Sequence, residues 1–148
     1  MVPIEQTWRR KRHGMIWRVG IGRNPFAGFW CGYVAIPRRF RDAEEAGYIE
    51  PPRDDDWTAP EEITMCDVVP GIGRVIGFDL GHLRDIGERI TEKDMRKRAN
   101  RFADWVANRY EIAAFNASML AMENAARKFV ETRPGDKEDD GDEERRKK

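Results

Sequence analysis

The stretch "GFDLGHLRDI", residues 77–86, places Asp79, His82 and Asp85 at every third position directly after an apolar run. Carboxylate and imidazole groups move protons and hold metals, so the trio reads as a histidine base oriented by a carboxylate, or as a ligand set. Spacing of three at a strand end does not by itself bring such groups together. A helical turn beginning near Leu80 puts His82 and Asp85 on one face. The structural alternative is that Asp79 caps that turn by accepting backbone N–H bonds, with His82 a satisfied structural residue. Asp79, His82 and Asp85 are thus the candidate catalytic set of a small hydrolase, and capping is the reading we favour.

Other chemistry is thinner. Cys31, Cys66, Asp79 and His82 carry the atoms that zinc takes, but no CxxC or HxxxH spacing supports a zinc site, and the expectation is no metal and no cofactor. "RVGIGRNPFAG" and "VVPGIGRVIG" each contain a GxG, yet neither runs on as GxGxxG into a helix or carries the GK[ST] of a phosphate loop. These glycines suit turns. "WRRKRHGMIWR" interleaves aromatic and basic residues, the combination used for base stacking with phosphate contact. Its structural alternative is a solvated arm whose tryptophans anchor to the core.

Three segments must position these groups. "MIWRVGI" (15–21) and "FWCGYVAI" (29–36) are β-branched and aromatic, bounded by Gly, Pro and Asn, and read as strands around a "RNPFAG" turn. "ITMCDVVPGIGRVIGFD" (63–79) reads as a hairpin, because Pro70-Gly71 suits the centre of a type II turn. With a loop of Pro70 to Gly73, Val69 faces Arg74, Cys66 faces Gly77 and Thr64 faces Asp79. One face is then Ile63, Met65, Asp67, Val69, Ile76 and Phe78, apolar enough to take a helix. The other, Thr64, Cys66, Val68, Val75, Gly77 and Asp79, leaves a gap at Gly77. That gap predicts a sheet-end pocket, with Trp30, Tyr33, Thr64, Cys66, Asp79 and His82 as the ligand-binding candidates.

From Thr91 the chain reads as helix, opened by the capping sequence "TEKD" and limited by Pro134-Gly135. Met95, Ala99, Phe102 and Val106 give the period of a helix packed on one side. Ile112, Phe115, Met119, Met122, Ala126 and Phe129 continue in strict 3-4 alternation, the seam of a helix that pairs with another helix. About 40 helical residues exceed an ordinary globular helix. The sequence predicts either a break near Asn108 or Asn116 or a helix reaching past the body, with homo-oligomerisation through this seam as one outcome.

With 148 residues, 40% hydrophobic and 36% charged, the chain is long enough for one core and has no apolar run of membrane-spanning length. No secretory signal is read at the N-terminus, and two cysteines are too few for a disulfide framework. The expected setting is cytoplasmic, without membrane attachment. The net charge of zero hides segregation. Residues 1–41 carry nine Lys or Arg against one Glu, a net of +8, and residues 42–67 carry ten acids against one Arg, a net of −9. We expect the basic arm to lie against this acidic neighbour rather than against nucleic acid. The expected layout is a single α+β domain over 1–131, with an acidic loop at about 42–62 that Trp57 pins to the body. Residues 132–148 follow as a charged, disordered tail.

At "WCGYVAIP" and "VIGFDLGHLRDI" the chain resembles a family of small uncharacterised proteins of tailed bacteriophages and prophages. That family shows a W-GYV-VP strand, an acidic Pro-containing stretch, a histidine-bearing strand, a GFD-AH-GD segment and a C-terminal helix. Trp30, Gly32, Tyr33, Val34 and Pro37, then Gly77, Phe78, Asp79, His82 and Asp85, match position by position. "ITMCDVV" stands where the family has His-Gly-Gly, Leu80 where it has cysteine, and "RRFRD" where it has a His-Pro-Leu turn. Losing those groups weakens a catalytic reading more than a binding one. The resemblance implies a phage accessory protein in the host cell cytoplasm that binds a host protein or a small ligand. The fold expected is α+β: a small antiparallel sheet of three to five strands, its Ile63/Met65/Phe78 face covered by the C-terminal helix.

Overall fold

The computed structural model of the chain describes residues 2–53, 58–81 and 89–132. Trp57, His82, Asp85 and the tail from 133, with the roles read for them above, lie outside the described residues. The elements run β1 (Gln6–Arg12), β2 (Met15–Arg23), β3 (Trp30–Ala35), α1 (Arg38–Glu45), β4 (Met65–Val69), β5 (Gly73–Asp79) and α2 (Glu92–Thr132). The five strands form one antiparallel sheet in the order β1-β2-β3-β5-β4, packed against α2. The fold is α+β, as the sequence implies.

β1 comes from the stretch read as a solvated arm. "QTWRRKR" hides a period of two: Gln6, Trp8, Arg10 and Arg12 are half-buried while Thr7, Arg9 and Lys11 are exposed. His13 and Gly14, at φ of 51° and 74°, form the two-residue turn that joins β1 to β2. Both central residues at positive φ is the turn that matches strand twist, and glycine adopts it without strain.

The inward row of β1 meets α2 in four rungs. Arg96 donates to Gln6 Oε1 (2.8 Å), the Trp8 indole N–H to Asn100 Oδ1 (2.8 Å), Arg10 twice to Asp104 (2.6 and 2.7 Å), and Arg12 to Asn108 Oδ1 (3.1 Å). Each step is two residues on the strand and four on the helix. Two strand residues rise about 6.6 Å and four helical residues about 6 Å, so the elements stay in step over four rungs. Among the described residues, the side-chain ion pairs and hydrogen bonds of β1 therefore run to α2. Arg38 and Asp42 do join the two charge blocks, but as neighbours one turn apart on α1.

The core lies between sheet and α2. Trp17, Val19, Ile21, Val34, Ile76 and Phe78 from the sheet bury against Met95, Ala99, Phe102, Val106 and Tyr110. Phe78 and Phe102 have ring centroids 4.9 Å apart, and Trp17 stacks on Phe40 of α1 at 5.6 Å. Gly32 admits the Phe78 ring, since a β-carbon there would sit 2.7 Å from it. Past the end of α1, at Gly47, Tyr48 N–H bonds Ala43 C=O (2.9 Å) and Gly47 N–H bonds Glu44 C=O (3.0 Å), both bonds of a Schellman motif. Thr91 caps α2 by accepting the Asp94 N–H at 3.1 Å, the bond expected of "TEKD".

The expected hairpin register needs correction. The β4–β5 loop has three residues, not four: Ile72 N–H bonds Val69 C=O at 3.0 Å around Pro70-Gly71, and Gly73, at φ 105°, already pairs with Val69. The register therefore slips by one, which exchanges the faces of one strand relative to the other. Met65 lies opposite Gly77 and Cys66 opposite Ile76. Consequently Phe78 faces α2, whereas Met65 packs with Tyr33 and Val75 on the opposite side. Of the two alternatives for the C-terminal segment the unbroken one holds: α2 runs through Asn108 and Asn116 as one helix of 41 residues. Residue contacts divide the chain into a unit ending at Ala113 and a second starting at Ala114.

Candidate functional site

Asp79 ends β5 directly opposite Cys31 of β3. Its Oδ1 accepts the Gly81 N–H at 2.9 Å, while Leu80 N–H donates to the Trp30 carbonyl at 2.9 Å. The aspartate thus folds the chain back as it leaves the strand, the local side-chain-to-backbone bond that this residue type favours. Burial, with the Asp79 charge adding, pushes the Cys31 thiol up to about 11. Both effects work against a free thiolate at Cys31. Among the described residues no three His, Cys, Asp or Glu side chains come together as a metal site.

The six ligand-binding candidates do not share one surface. Trp30 lies on the helix side, its indole N–H bonded to the Ile90 carbonyl at 3.2 Å and its ring under the Arg23 guanidinium at 4.5 Å. Tyr33 lies on the other side, buried beside an apolar cavity of about 10 Å³ bounded by Ile4, Thr7, Gly20 and Val75. That space suits one water and no ligand. The gap expected at Gly77 is filled by β3: a β-carbon there would stand 2.7 Å from the Gly32 carbonyl and 3.2 Å from Tyr33 Cβ. Asp79 stays on the Tyr33 side, and the slipped register sends Cys66 to the other. His82 lies outside the described residues.

Thr64 and Cys66 do line a groove, along the outer edge of β4 with Pro51, Pro52, Ile63 and Met65, of about 370 Å³. The Cys66 thiol accepts from Arg74 at 3.6 Å, yet burial and the charges of Glu44 and Asp67 raise its pKa. Both effects work against a thiolate there.

Sequence reasoning missed α1 and the acid it buries. Glu44 accepts from the Tyr110 hydroxyl and contacts the Arg74 guanidinium. Burial, with Glu45 adding, pushes its carboxyl up to about 7 despite the cation against it. Phe40, the one large apolar residue in "RRFRDAEE", was the available signal. Glu61 is likewise buried and held twice by Arg98, at 2.6 and 2.7 Å. Both acids brace α2 against the body.

The last turns of α2 contrast with all of this. Ile112, Phe115, Met119, Leu120, Met122, Phe129 and Val130 are each about half exposed or more. Single exposed apolar residues are ordinary, but a stripe along one helix marks an interaction surface. No helix among the described residues is long and apolar enough to cross a membrane. Comparison with protein-family models, curated proteins and solved structures gave no match.

Proposed function

We propose that this protein acts by binding rather than by catalysis, and that its binding element is the apolar stripe of α2, which takes the same stripe of a second copy. The observation that carries the reading is the exposure of Phe115, Met119, Met122 and Phe129 at 3-4 spacing on an intact helix. Side-chain size favours an antiparallel pair. Centred between Leu120 and Ala121, such a pair sets Ile112 against Phe129, Phe115 against Ala126 and Met119 against Met122. Each phenylalanine then meets a smaller side chain, and the two methionines fill the layer between. A parallel pair stacks Phe115 on itself and leaves Ala126 facing Ala126, one layer crowded and another void.

Ten large side chains are covered across the pair. At about 1–2 kcal/mol each, set against an association cost of about 4–15 kcal/mol, the net is a few kcal/mol, so protein concentration decides occupancy. In the phage setting that the motif resemblance implies, the protein works in the host cytoplasm and a host protein is the competing occupant of the same stripe. Light scattering over a concentration series separates these. The expected result is a dimer that Phe115→Glu/Met119→Glu converts to a folded monomer with unchanged circular dichroism. A parent chain that stays monomeric at the highest soluble concentration overturns self-association.

A second reading rests on the groove beside β4, whose 370 Å³ is within the range of small-molecule sites. Chemical-shift changes confined to Thr64, Met65 and Cys66 in a fragment screen would support it. Their absence across the screen removes it.

A further inference from the structure

Seen from the sheet face away from α2, the β1–β2 ribbon carries Arg9, Lys11 and Arg18, all exposed. Arg9 and Arg18 are directly paired across the strands, and Lys11 follows two residues along beside Ile16. Like charges in that position repel, with β-carbons only about 4.5–5.5 Å apart. None of the three has a side-chain partner among the described residues, while Arg10 and Arg12, one position away in sequence, are both bonded to α2. Basic residues on an edge strand discourage unwanted strand pairing, which accounts for Arg9 and Lys11. Arg18 is on the second strand, flanked on both sides by neighbours, and protection of the edge gives no reason for it.

We propose that this face binds the phosphate backbone of a nucleic-acid duplex without reading its sequence. Arg9 and Lys11 stand about 6.6 Å apart along the strand, close to the spacing of successive phosphates on one nucleic-acid strand, and Arg18 reaches a third oxygen alongside Arg9. An anion between Arg9 and Arg18 relieves their repulsion. The ribbon is held rigid from behind by its four rungs to α2, and two paired strands fit the width of a major groove. Base stacking takes no part, because Trp17 is fully buried and Trp8 is engaged with Asn100 and with the Arg96 guanidinium 4.1 Å above its ring. The contact is electrostatic, so the affinity is that of non-specific binding, about 10⁻⁴–10⁻⁶ M. This site is independent of the α2 stripe.

Fluorescence anisotropy of a random-sequence duplex with the full chain, over a salt series, tests it. Three phosphate contacts predict a slope of log affinity against log salt of about −2.7. Arg9→Ser/Lys11→Ser/Arg18→Ser should lower affinity at least tenfold in low salt and flatten the slope, and should melt no lower than the parent because it removes a repulsion. Lys93→Ser/Lys97→Ser/Arg101→Ser, which takes the same charge from exposed positions on α2, should leave binding within about twofold. Equal losses in the two triple variants mean general charge and overturn the proposal. So does a parent that ignores the duplex, including one that instead binds phosphatidylserine vesicles through these three residues. The Phe115→Glu/Met119→Glu variant should retain the three-contact slope, which separates failure here from failure of the dimer.

Discussion

Met95 and Met122 belong to one uninterrupted helix and to the same kind of 3-4 apolar pattern, yet the first is fully buried and the second is 65% exposed. The changeover is abrupt: Tyr110 is 1% exposed and Ile112 57%. Nothing in the apolar period distinguishes the halves. The polar residues do. Arg96, Arg98, Asn100, Asp104 and Asn108 each find a partner on β1 or on the segment before β4, and beyond Tyr110 no such ladder continues among the described residues. A periodic apolar face shows that a helix has a side to cover. The flanking polar residues show whether this chain covers it.

The contrast is strongest at the two phenylalanines. Phe102→Ala removes a fully buried ring stacked near Phe78 and Trp105 and should cost about 3–5 kcal/mol in denaturant unfolding. A cost under about 1 kcal/mol would mean that the first half is held no better than the second. Next in size is the boundary itself. Tyr110→Phe deletes the hydroxyl that donates to buried Glu44 and should cost about 1–3 kcal/mol.

Glu44 also gives the boundary a pH signature. Its carboxyl is raised to about 7 in the folded chain from an ordinary value of 4.5. The folded state therefore holds the proton more tightly than the unfolded state. The stabilisation is fully present below pH 4.5, declines as pH rises, and is gone above about 7. Thermal melts should fall between pH 5 and pH 8 by more in the parent than in Glu44→Gln. Equal falls would remove Glu44 as the cause. Smallest is Phe115→Ala, expected to change the stability of dilute protein by less than about 0.5 kcal/mol. Its visible effect should be loss of the concentration dependence of the melting temperature.

How legible each part was followed from which residues spoke for it. β2, β3 and the β4–β5 hairpin announced themselves through β-branched runs and turn residues, and α2 through its cap and period. β1 did not, because four of its seven residues are Arg or Lys and composition outweighed alternation. The His-Gly turn with an alternating stretch on either side was the signal. α1 was masked in the same way by charge, with Phe40 alone marking the buried side. The register turns on a single residue: glycine at position 73 reads as loop from the sequence, but it belongs to the ladder. That one slip created a pocket from Thr64, Cys66 and Asp79 that backbone pairing separates. Asp79 as a strand-end acceptor was readable, since it depends on residues two apart and on nothing distant.

The four rungs between β1 and α2 span 90 to 96 residues of sequence. During synthesis at roughly 5–20 residues per second, Arg10 leaves the ribosome about 5–20 s before Asp104 does. Over that interval the first hairpin can form its own ladder, but the row of Trp8, Arg10 and Arg12 faces water with nothing to grip. The N-terminal third of the chain thus waits for the C-terminal third. A polypeptide interrupted before Asn100 should be captured by chaperones or degraded, rather than accumulate as a folded fragment.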